Sequence, residues 1–337
     1  MKTTYFKNIV GQTSAKKKLS FYIDNYRRSG RIAHTLFNAP KGTGKTMIAR
    51  TVAANLNKIA PKKQYIEVNC ATIKTMKQFC EQLLLTSVVD KDVTVLFDEA
   101  SELPKSVTMA LLTILNPNDE NRTRLSYDDF DFEFDFKRQS FLFATTEAHK
   151  MFHALKDRLN RIDLQPYTLK DIADILALNL DKKKVKYDKP LLLDIASVLR
   201  GNARQAVKMI GDIIDYMHGS DSKFTAKNWQ DMRSALDILP MGISPVELNV
   251  LESIGQRNGT SLTQLSAITG MSRESLQNDG EMFLLQNGLM EIRTPGGRCI
   301  TSSGIELLKL INSQWSFFYV GIDPVDVAGR GFTCSPI

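Results

Sequence analysis

The chain has 337 residues, of which 43% are hydrophobic and 24% are charged, and its formal net charge is +7. This composition is typical of a soluble globular protein, and the length predicts two or three domains. No apolar run is long enough for a membrane span and the N-terminus does not look like a signal peptide, so we expect a cytoplasmic protein without a membrane partner. Four scattered cysteines without metal-ligand spacing are expected to be reduced thiols.

Positive charge is concentrated in the first 60 residues, which contain 12 Lys or Arg and a single acid, Asp24. A surplus of this size favours a polyanionic partner, nucleic acid before membrane. A solvated basic face that also attracts nucleotide is the alternative interpretation.

The first predicted elements are a helix capped at Thr13 or Ser14 and a short apolar strand at residues 35–38. The strand leads into a loop at residues 39–46, and a helix-compatible run follows. This order is the context of a phosphate-binding P-loop, in which backbone N–H groups and a helix N-terminus face an anion. The loop residues predicted to contact ATP are Pro40, Lys41, Gly42, Thr43, Gly44, Lys45 and Thr46.

Two side chains of this loop have predicted tasks. Lys45 is expected to reach the β- and γ-phosphates, and the Thr46 hydroxyl to ligate Mg²⁺. Ala39 stands where the usual pattern has Gly, a change that a negative φ tolerates. A chance Gly-Lys-Thr is the alternative, and the surrounding strand and helix argue against it.

Two further strands are predicted at residues 65–69 and 93–97, with an amphipathic helix between them. The second of these strands runs directly into Asp98 and Glu99. Both carboxylates therefore belong at the carboxyl edge of a parallel sheet, where ligands of open α/β folds bind. We expect Asp98 to hold the Mg²⁺ shell and Glu99 to orient and polarise the attacking water.

A fourth strand at residues 141–144 is followed by two threonines, and Thr146 is predicted to sense the γ-phosphate. The alternation of helices with short apolar strands indicates an α/β core with a parallel sheet. Before the fourth strand, residues 130–136 alternate strictly between Phe and acids, and the preceding residues 122–127 can pair with them, which predicts a β-hairpin over 122–137 with one aromatic face. Two interpretations of that face stay open: burial in the core, or docking of a partner protein.

The pattern after residue 165 is helical, and it changes again near Pro240 to short helices followed by a β-ribbon with a Pro-Gly-Gly tip. That last combination is typical of a winged helix-turn-helix. The expected domains are a P-loop core at 1–165, a helical lid at 166–239, a winged-helix domain at 240–312 and a tail at 313–337.

Seven motifs then resemble one known family. In chain order they are Ile9-Val10-Gly11-Gln12, the P-loop, Asp98-Glu99, Ala144-Thr145-Thr146, Leu155-Lys156-Asp157-Arg158, Arg200-Gly201-Asn202-Ala203-Arg204 and Arg293-Thr294-Pro295-Gly296-Gly297-Arg298. Across residues 6–312 they are similar to the bacterial RuvB Holliday-junction branch-migration motors of the AAA+ class. The resemblance implies ATP and Mg²⁺ as cofactors and a hexameric ring acting on branched or duplex DNA.

The resemblance also implies roles for individual side chains. Ile9 and Val10 would contact the nucleotide, Arg158 would reach the ATP of a neighbouring subunit, and Arg204 would sense the γ-phosphate from the lid. Arg161 is an alternative to Arg158, and each arginine could instead only pair or cap a helix.

DNA contacts are expected from Arg293 and Arg298 in the wing. Residues 243–312 contain 5 basic and 7 acidic residues, whereas a strongly phosphate-binding domain should be basic. A wing that binds protein instead of DNA is therefore an open alternative.

The chain departs from the RuvB-like pattern in several places. Ala-Ser-Glu-Leu follows Glu99 where the family has Ile-His-Arg-Leu, the N-terminal arm is nearly absent, and Gly296 replaces an arginine of the wing. The hairpin carries acids and aromatics in place of the aliphatic tip that docks RuvA, so its partner is a RuvA-like protein, another protein or none. These differences suit a divergent copy, for example a phage-borne one.

The tail from residue 313 has no counterpart in the family. Trp315, Phe317 and Phe318 are expected either to pack on the winged helix or, with Gln314, to dock on a sliding clamp.

The leading hypothesis is a hexameric Mg-ATP-driven DNA motor that migrates Holliday junctions in recombination and repair. An assembly ATPase of the clamp-loader or helicase-loader type is the alternative. A DNA-binding regulator that only binds nucleotide is a third, against which the combination of Glu99 and Arg158 argues.

Overall fold

A computed structural model describes residues 4–116, 121–219, 222–257 and 259–315. The chain forms two compact units that divide between Ala226 and Lys227. None of the helices in the described ranges has the length and hydropathy of a membrane span. The proposed clamp-docking motif of the tail, with the side chains of Trp315, Phe317 and Phe318, lies outside the described part.

The centre of the first unit is a five-stranded sheet of β1 (Thr35–Asn38), β2 (Gln64–Asn69), β3 (Val93–Asp98), β6 (Gln139–Thr145) and β7 (Asn160–Asp163). The strands lie in the order β2-β3-β6-β1-β7, and all of them are parallel. Asn38 pairs with Thr145, and Asn69 pairs with Asp98. Adjacent strands therefore end together, which brings the loops that follow them to one edge. The first four strands confirm the predicted α/β core, whereas β7 was not foreseen.

Both faces of the sheet are buried because helices cover each of them. Successive residues point to opposite faces, so Leu96 lies in one cluster and Phe97 in the other, as do Leu142 and Phe143. The strands consequently read as continuous apolar runs, as expected of a parallel sheet covered on both sides.

The helices of this unit are α1 (Thr13–Ser29), α2 (Lys45–Ile59), a π-helix (Gln78–Val88), α3 (Lys105–Ile114), α4 (His153–Lys156), α5 (Leu169–Lys182), α6 (Leu191–Val198) and α7 (Ala203–Tyr216). The predicted cap of α1 is wrong, because Gln12 occupies the cap position in a left-handed conformation without a side-chain cap. α7 has a side-chain cap, because the Asn202 side chain accepts from the backbone N–H groups of Arg204 and Gln205.

The predicted hairpin is present as β4 (Arg122–Tyr127) paired antiparallel with β5 (Phe130–Asp135). Three phenylalanines of its aromatic face are buried in the core of the unit, namely Phe132, Phe134 and Phe136. Only Phe130, beside the turn, is exposed, at 38%. The aromatic face is therefore mainly a core face, and the interpretation that all four form a docking surface is wrong.

The second unit begins within α8 (Ala226–Ala235) and contains the winged helix. Its elements are α9 (Pro245–Gly255), α10 (Leu262–Thr269), α11 (Arg273–Ser275) continued by a π-turn (Leu276–Glu281) into α12 (Met282–Gln286), β8 (Met290–Arg293), β9 (Gly297–Ile300) and α13 (Ser302–Trp315). Apolar residues from these elements form one core. The antiparallel β8–β9 ribbon follows the helix that begins at Arg273, which confirms the predicted winged helix-turn-helix.

Candidate nucleotide site and nucleic-acid interface

The P-loop connects β1 to α2 and has the geometry of an anion cradle. Gly42 and Gly44 have φ of 81° and 89°, a region that other residues rarely adopt. The Lys45 ammonium lies inside the loop, where it donates to the carbonyls of Ala39 (2.7 Å) and Pro40 (3.1 Å). Burial lowers the pKa of Lys45. A buried ammonium held only by neutral carbonyls fits a phosphate group, which would give it a charged partner.

A hydroxyl and a carboxylate lie together beside this loop. Thr46 Oγ1 donates to Asp98 Oδ2 at 3.1 Å, and the other Asp98 oxygen accepts from the Glu99 N–H at 3.1 Å. Mg²⁺ prefers oxygen ligands of this kind. It is usually held by one or two of them together with substrate phosphates and water. No group of three or more His, Cys, Asp or Glu that could hold a metal occurs within the described residues. The pair therefore fits Mg²⁺ only together with nucleotide.

Glu99 directly follows β3 in a left-handed conformation, with φ of 54°. This turn places it at the carboxyl edge of the sheet, next to Asp98. A non-glycine residue in that region costs backbone energy, and such residues cluster at functional sites. Glu99 is half-buried, so its carboxylate remains available to a water molecule at this edge.

The two threonines after β6 have different surroundings. Thr145 is fully buried, and its Oγ1 contacts Ser101 Oγ at 3.1 Å and accepts from the Glu147 N–H at 2.9 Å. Its carbonyl accepts from the Ala39 N–H at 3.3 Å. Thr146, the next residue, is half-exposed and lies at the edge where the P-loop begins. Thr145 therefore joins the strand end to its neighbours, and Thr146 has the position of the predicted sensor.

The lid reaches the P-loop through the start of α7. The Ala203 N–H donates to the Gly42 carbonyl at 3.0 Å. A Cβ on Gly42 would lie 2.2 Å from the Asn202 amide oxygen, so only glycine fits there. This contact brings the exposed Arg204 near the phosphate cradle, where its charge adds to the lowering of the Lys45 pKa by burial. The structure thus brings Arg204 to the predicted nucleotide edge.

Two residues at the base of the lid were missed as site residues. Gln12 joins the motif around Ile9 to the linker, since its amide donates to the Gln165 carbonyl (2.7 Å) and accepts from the Gln165 N–H (3.0 Å). The Tyr167 hydroxyl lies 3.1 Å from where a Cβ on Gly44 would be. Gln12 and Gln165 are 153 positions apart, and no local pattern reveals such a pair.

The predicted nucleotide contacts Ile9 and Val10 differ in exposure. Ile9 is 5% exposed and belongs to the core that covers one sheet face, whereas Val10 is half-buried. The Ile9 carbonyl accepts from the Lys16 ammonium. Ile9 is therefore chiefly a packing residue, and Val10 is the more accessible of the two.

Arg158 and Arg161 lie near the amino edge of the sheet, opposite the P-loop. β7 begins at Asn160, which pairs with Thr35 at the start of β1. Arg158 donates to the Ala154 carbonyl (2.8 Å) and the Asn116 amide oxygen (3.3 Å), both neutral groups. Arg161 is held in an ion pair with Asp163 at 2.8 Å. Of the two arginines, Arg158 is the one whose charge has no described carboxylate partner.

The two arginines predicted to bind DNA have opposite environments. Arg293 is exposed on the ribbon and paired with Glu291. Arg298 is buried: its side chain is 11% exposed and forms a two-point ion pair with Glu281, which is 2% exposed. Because this pair satisfies the guanidinium inside the unit, Arg298 is not presented to a DNA phosphate. Its predicted DNA contact is contradicted by this placement.

A third arginine of the winged helix was missed by the sequence reasoning. Arg273 is the first residue of α11, is exposed, and forms no ion pair with any carboxylate in the part of the chain that the structure describes. Residues at the start of this helix contact DNA in helix-turn-helix proteins. The sequence feature that could have revealed Arg273 is its position directly after Ser272, whose hydroxyl caps the helix by accepting from the Ser275 N–H.

Comparisons with known proteins agree with this architecture. Residues 35–167 match the ATPase family associated with various cellular activities (AAA), and residues 240–309 match the RuvB C-terminal winged helix domain. The Holliday junction branch migration complex subunit RuvB of Nitratiruptor sp. is 26% identical, over 92% of each chain. The protein of the same name from Mycoplasmopsis pulmonis is 24% identical, over 91% of this chain and 96% of that protein.

The chain is therefore similar to RuvB proteins over nearly its whole length. The structure described as the Thermotoga maritima RuvB Holliday junction branch migration motor matches with a TM-score of 0.68 at 23% identity, over 89% of this chain and 95% of that one. A point mutant of the same Thermotoga maritima protein gives a TM-score of 0.69. These matches confirm the expected RuvB-like resemblance and the fold class of an α/β P-loop core, helical lid and winged helix.

Proposed function

We propose that this RuvB-like protein is an ATP-driven DNA motor that moves the branch point of Holliday junctions, and that it works as a ring of identical subunits, expected to be hexameric. The observation that carries the proposal is the combination, on one chain, of a P-loop in contact with the lid and next to the Thr46–Asp98 pair with a region that matches the RuvB C-terminal winged helix domain. The names of the relatives, each a subunit of a Holliday junction branch migration complex, support the same reaction.

Nucleotide binding is assigned to the P-loop, with Lys45 on the β- and γ-phosphates and Thr46 and Asp98 holding Mg²⁺. Bound Mg-ATP supplies the phosphoanhydride whose cleavage releases the free energy for movement. Glu99 orients a water molecule for in-line attack and accepts hydrogen bonds from it. Thr146, which directly follows the neighbouring strand β6, helps to position that water.

Two arginines are proposed to make hydrolysis depend on conformation and assembly. Arg204, at the start of α7, links the phosphates to the lid through the Ala203–Gly42 contact. Arg158 lies across the sheet from its own P-loop, because β1 alone is about 13 Å long. It would therefore neutralise transition-state charge in the site of a neighbouring copy, as arginine fingers do.

DNA binding is proposed to rest on few cations per subunit. Arg293 and Arg273 are the exposed candidates of the winged helix, and the basic first 60 residues of the chain can add attraction. Few phosphate contacts per subunit mean weak binding, which repetition around a ring would strengthen.

A partner is proposed to dock at the tip of the β4–β5 hairpin. Phe130 is the exposed aromatic residue there, with Asp131 and Glu133 exposed beside it. A RuvA-like protein is the partner that the RuvB-like fold favours. Phe130→Ser should abolish stimulation by such a partner and leave the basal ATPase unchanged; unchanged stimulation would remove the hairpin from the interface.

The proposal is tested with a synthetic four-way junction with homologous arms. We expect ATP-dependent conversion to duplex products, stimulated by a RuvA-like protein. ATP hydrolysis that is stimulated by DNA but never dissociates the junction would favour a loader.

A further inference from the structure

A cleft of about 520 Å³ opens at the amino edge of the sheet, on the side of the first unit opposite the P-loop. It lies between the end of α1, the start of β1, the base of the hairpin and the residues before β7. Arg28, Arg31 and Arg158 line it, together with the amide side chains of Asn25, Asn121 and Asn160.

The three guanidinium groups of this cleft have only neutral partners. Arg28 donates to the Asn25 amide oxygen, Arg31 donates to the Asn121 amide oxygen, and Arg158 donates to a carbonyl and an amide oxygen. None of them forms an ion pair with a carboxylate among the residues that the structure describes. Arg31 also lies over the Phe136 ring, 5.4 Å from its centre. Three like charges around one cleft repel each other unless an anion joins them.

Two buried polar groups of the cleft also lack partners. His34 is 6% exposed and lines the cleft, and neither of its ring nitrogens has a hydrogen-bond partner in the described structure. The buried Nε of Arg158 has none either. Unsatisfied buried donors are rare in folded proteins, and each one needs an explanation. A ligand with several acceptor oxygens would give partners to the Arg158 Nε–H and to the one N–H that a neutral His34 ring carries.

The nucleotide of the same subunit cannot be that ligand. His34 and the first P-loop residue, Ala39, are five residues apart along an extended strand, which separates them by about 17 Å. We infer that the cleft lined by Arg28, Arg31, Arg158 and His34 is a second phosphate-binding site, distinct from the P-loop and selective for polyphosphate. Guanidinium groups suit such a ligand because each can bind two phosphate oxygens at once.

The direct test is calorimetric titration of the full chain with inorganic pyrophosphate in the Lys45→Ala background, which removes the principal phosphate ligand of the P-loop. We expect one pyrophosphate per chain, at least tenfold weaker binding with Arg28→Gln, and similar weakening with Arg31→Gln. Arg27→Gln removes the same charge from the same helix outside the cleft and should leave affinity unchanged.

Arg28→Gln is the decisive variant, because Arg28 is exposed and its removal leaves the fold intact. Arg31→Lys, which keeps the charge, covers the case in which Arg31→Gln fails to fold. Absence of pyrophosphate binding to Lys45→Ala, or equal loss with Arg27→Gln and Arg28→Gln, would overturn the inference.

A second arm identifies the source of the phosphate and rests on the proposed ring. With ATP at assembling concentrations, loss of pyrophosphate binding in the parent protein but not in Lys45→Ala would indicate that the nucleotide held by a second copy fills the cleft. Equal behaviour of the two proteins would indicate a free polyphosphate. If the parent protein migrates junctions but Lys45→Ala binds no pyrophosphate, only the proposal for the cleft is refuted. If Lys45→Ala binds pyrophosphate but the parent protein does not migrate junctions, only the proposed motor function is refuted.

Discussion

The nucleotide edge and the winged helix differ in how far a motif determines where its side chains lie. At the nucleotide edge, adjacent parallel strands end together, Thr46 contacts Asp98 after β3, and Thr146 follows β6 at the same edge. In the wing, Arg293 and Arg298 are five positions apart, yet one is exposed and the other is buried against Glu281. Main-chain pairing fixes where the strands end, so a motif at a strand end predicts where the site lies. The exposure of a single side chain depends instead on a partner elsewhere in the sequence.

The largest effect is expected at Arg158, whose predicted role lies in the neighbouring site. Arg158→Ala should bind ATP but lose hydrolysis by about 1,000-fold or more, because transition-state charge is left without its cation. Mixing it with Lys45→Ala should restore part of the ATPase rate, since each protein supplies the half-site that the other lacks.

Arg161→Ala is the matched control, because Arg161 is already paired with Asp163. It should hydrolyse ATP at nearly the parent rate. A mixture of Arg158→Ala and Lys45→Ala that stays inactive at every ratio would make Arg158 a structural residue.

Glu99→Gln tests the nucleotide edge itself. We expect unchanged ATP affinity and a turnover at least about 100-fold lower, because the amide keeps the shape but cannot act as a base for water. Glu102→Gln, an exposed carboxylate three residues away, should have little effect on steady-state hydrolysis. Parent-level turnover in Glu99→Gln would assign the water to another residue.

Arg298→Ala tests the corrected part of the wing. The change leaves Glu281 charged and buried, so we expect a loss of about 3 kcal/mol in the free energy of unfolding of the winged helix. Replacing the pair together, as Arg298→Met with Glu281→Leu, should recover most of that loss in denaturant titrations. If Arg298→Ala kept full stability and lost only DNA affinity, the buried pair would not describe the protein in solution.

The parts of the fold that could be predicted are those set by local patterns. Apolar runs gave four of the five strands of the sheet, and turn residues gave the hairpin and the wing. The strand β7 was missed because Asn160-Arg161-Ile162-Asp163 has only one buried residue. The Gln12–Gln165 contact, the Asn202 contact with Gly42 and the Arg298–Glu281 pair all join distant segments, and a single sequence carries no signal for them.

His34 provides a smaller, pH-dependent test of the amino edge. Burial, with a lesser contribution from Arg31, lowers the pKa of His34 from 6.5 to about 3. Below pH 6.5 the unfolded chain therefore binds a proton at His34 that the folded chain does not bind. The contribution of His34 to the free energy of unfolding is fully present above this pH and is lost as the pH falls towards 3. The expected slope is up to about 1.4 kcal/mol per pH unit.

The comparison for His34 is with His34→Phe, measured by urea unfolding in phosphate-free buffer. The variant keeps an aromatic ring against Phe136 and removes the titrating group. The stability difference between parent and variant should therefore change steadily on acidification. If the free energies of unfolding of parent and variant changed in parallel from pH 7 to pH 4, the predicted lowering of the His34 pKa would be wrong.

The smallest expected change concerns salt. Arg273→Ala and Arg293→Ala should each lower the slope of log DNA affinity against log salt by about one unit per DNA-binding subunit, without a change in melting temperature or basal ATPase. Slopes equal to the parent value in both variants would move DNA binding to the basic first 60 residues.

The central claim, that hydrolysis at the first region moves DNA held by the second, is tested most directly by single-junction branch migration. The parent protein should move the branch point processively with ATP. Glu99→Gln should bind the junction and stay still, and Arg273→Ala combined with Arg293→Ala should hydrolyse ATP without moving it. Branch migration by the parent that proceeds equally well without hydrolysis, or hydrolysis by the parent that never displaces the branch point, would contradict the account.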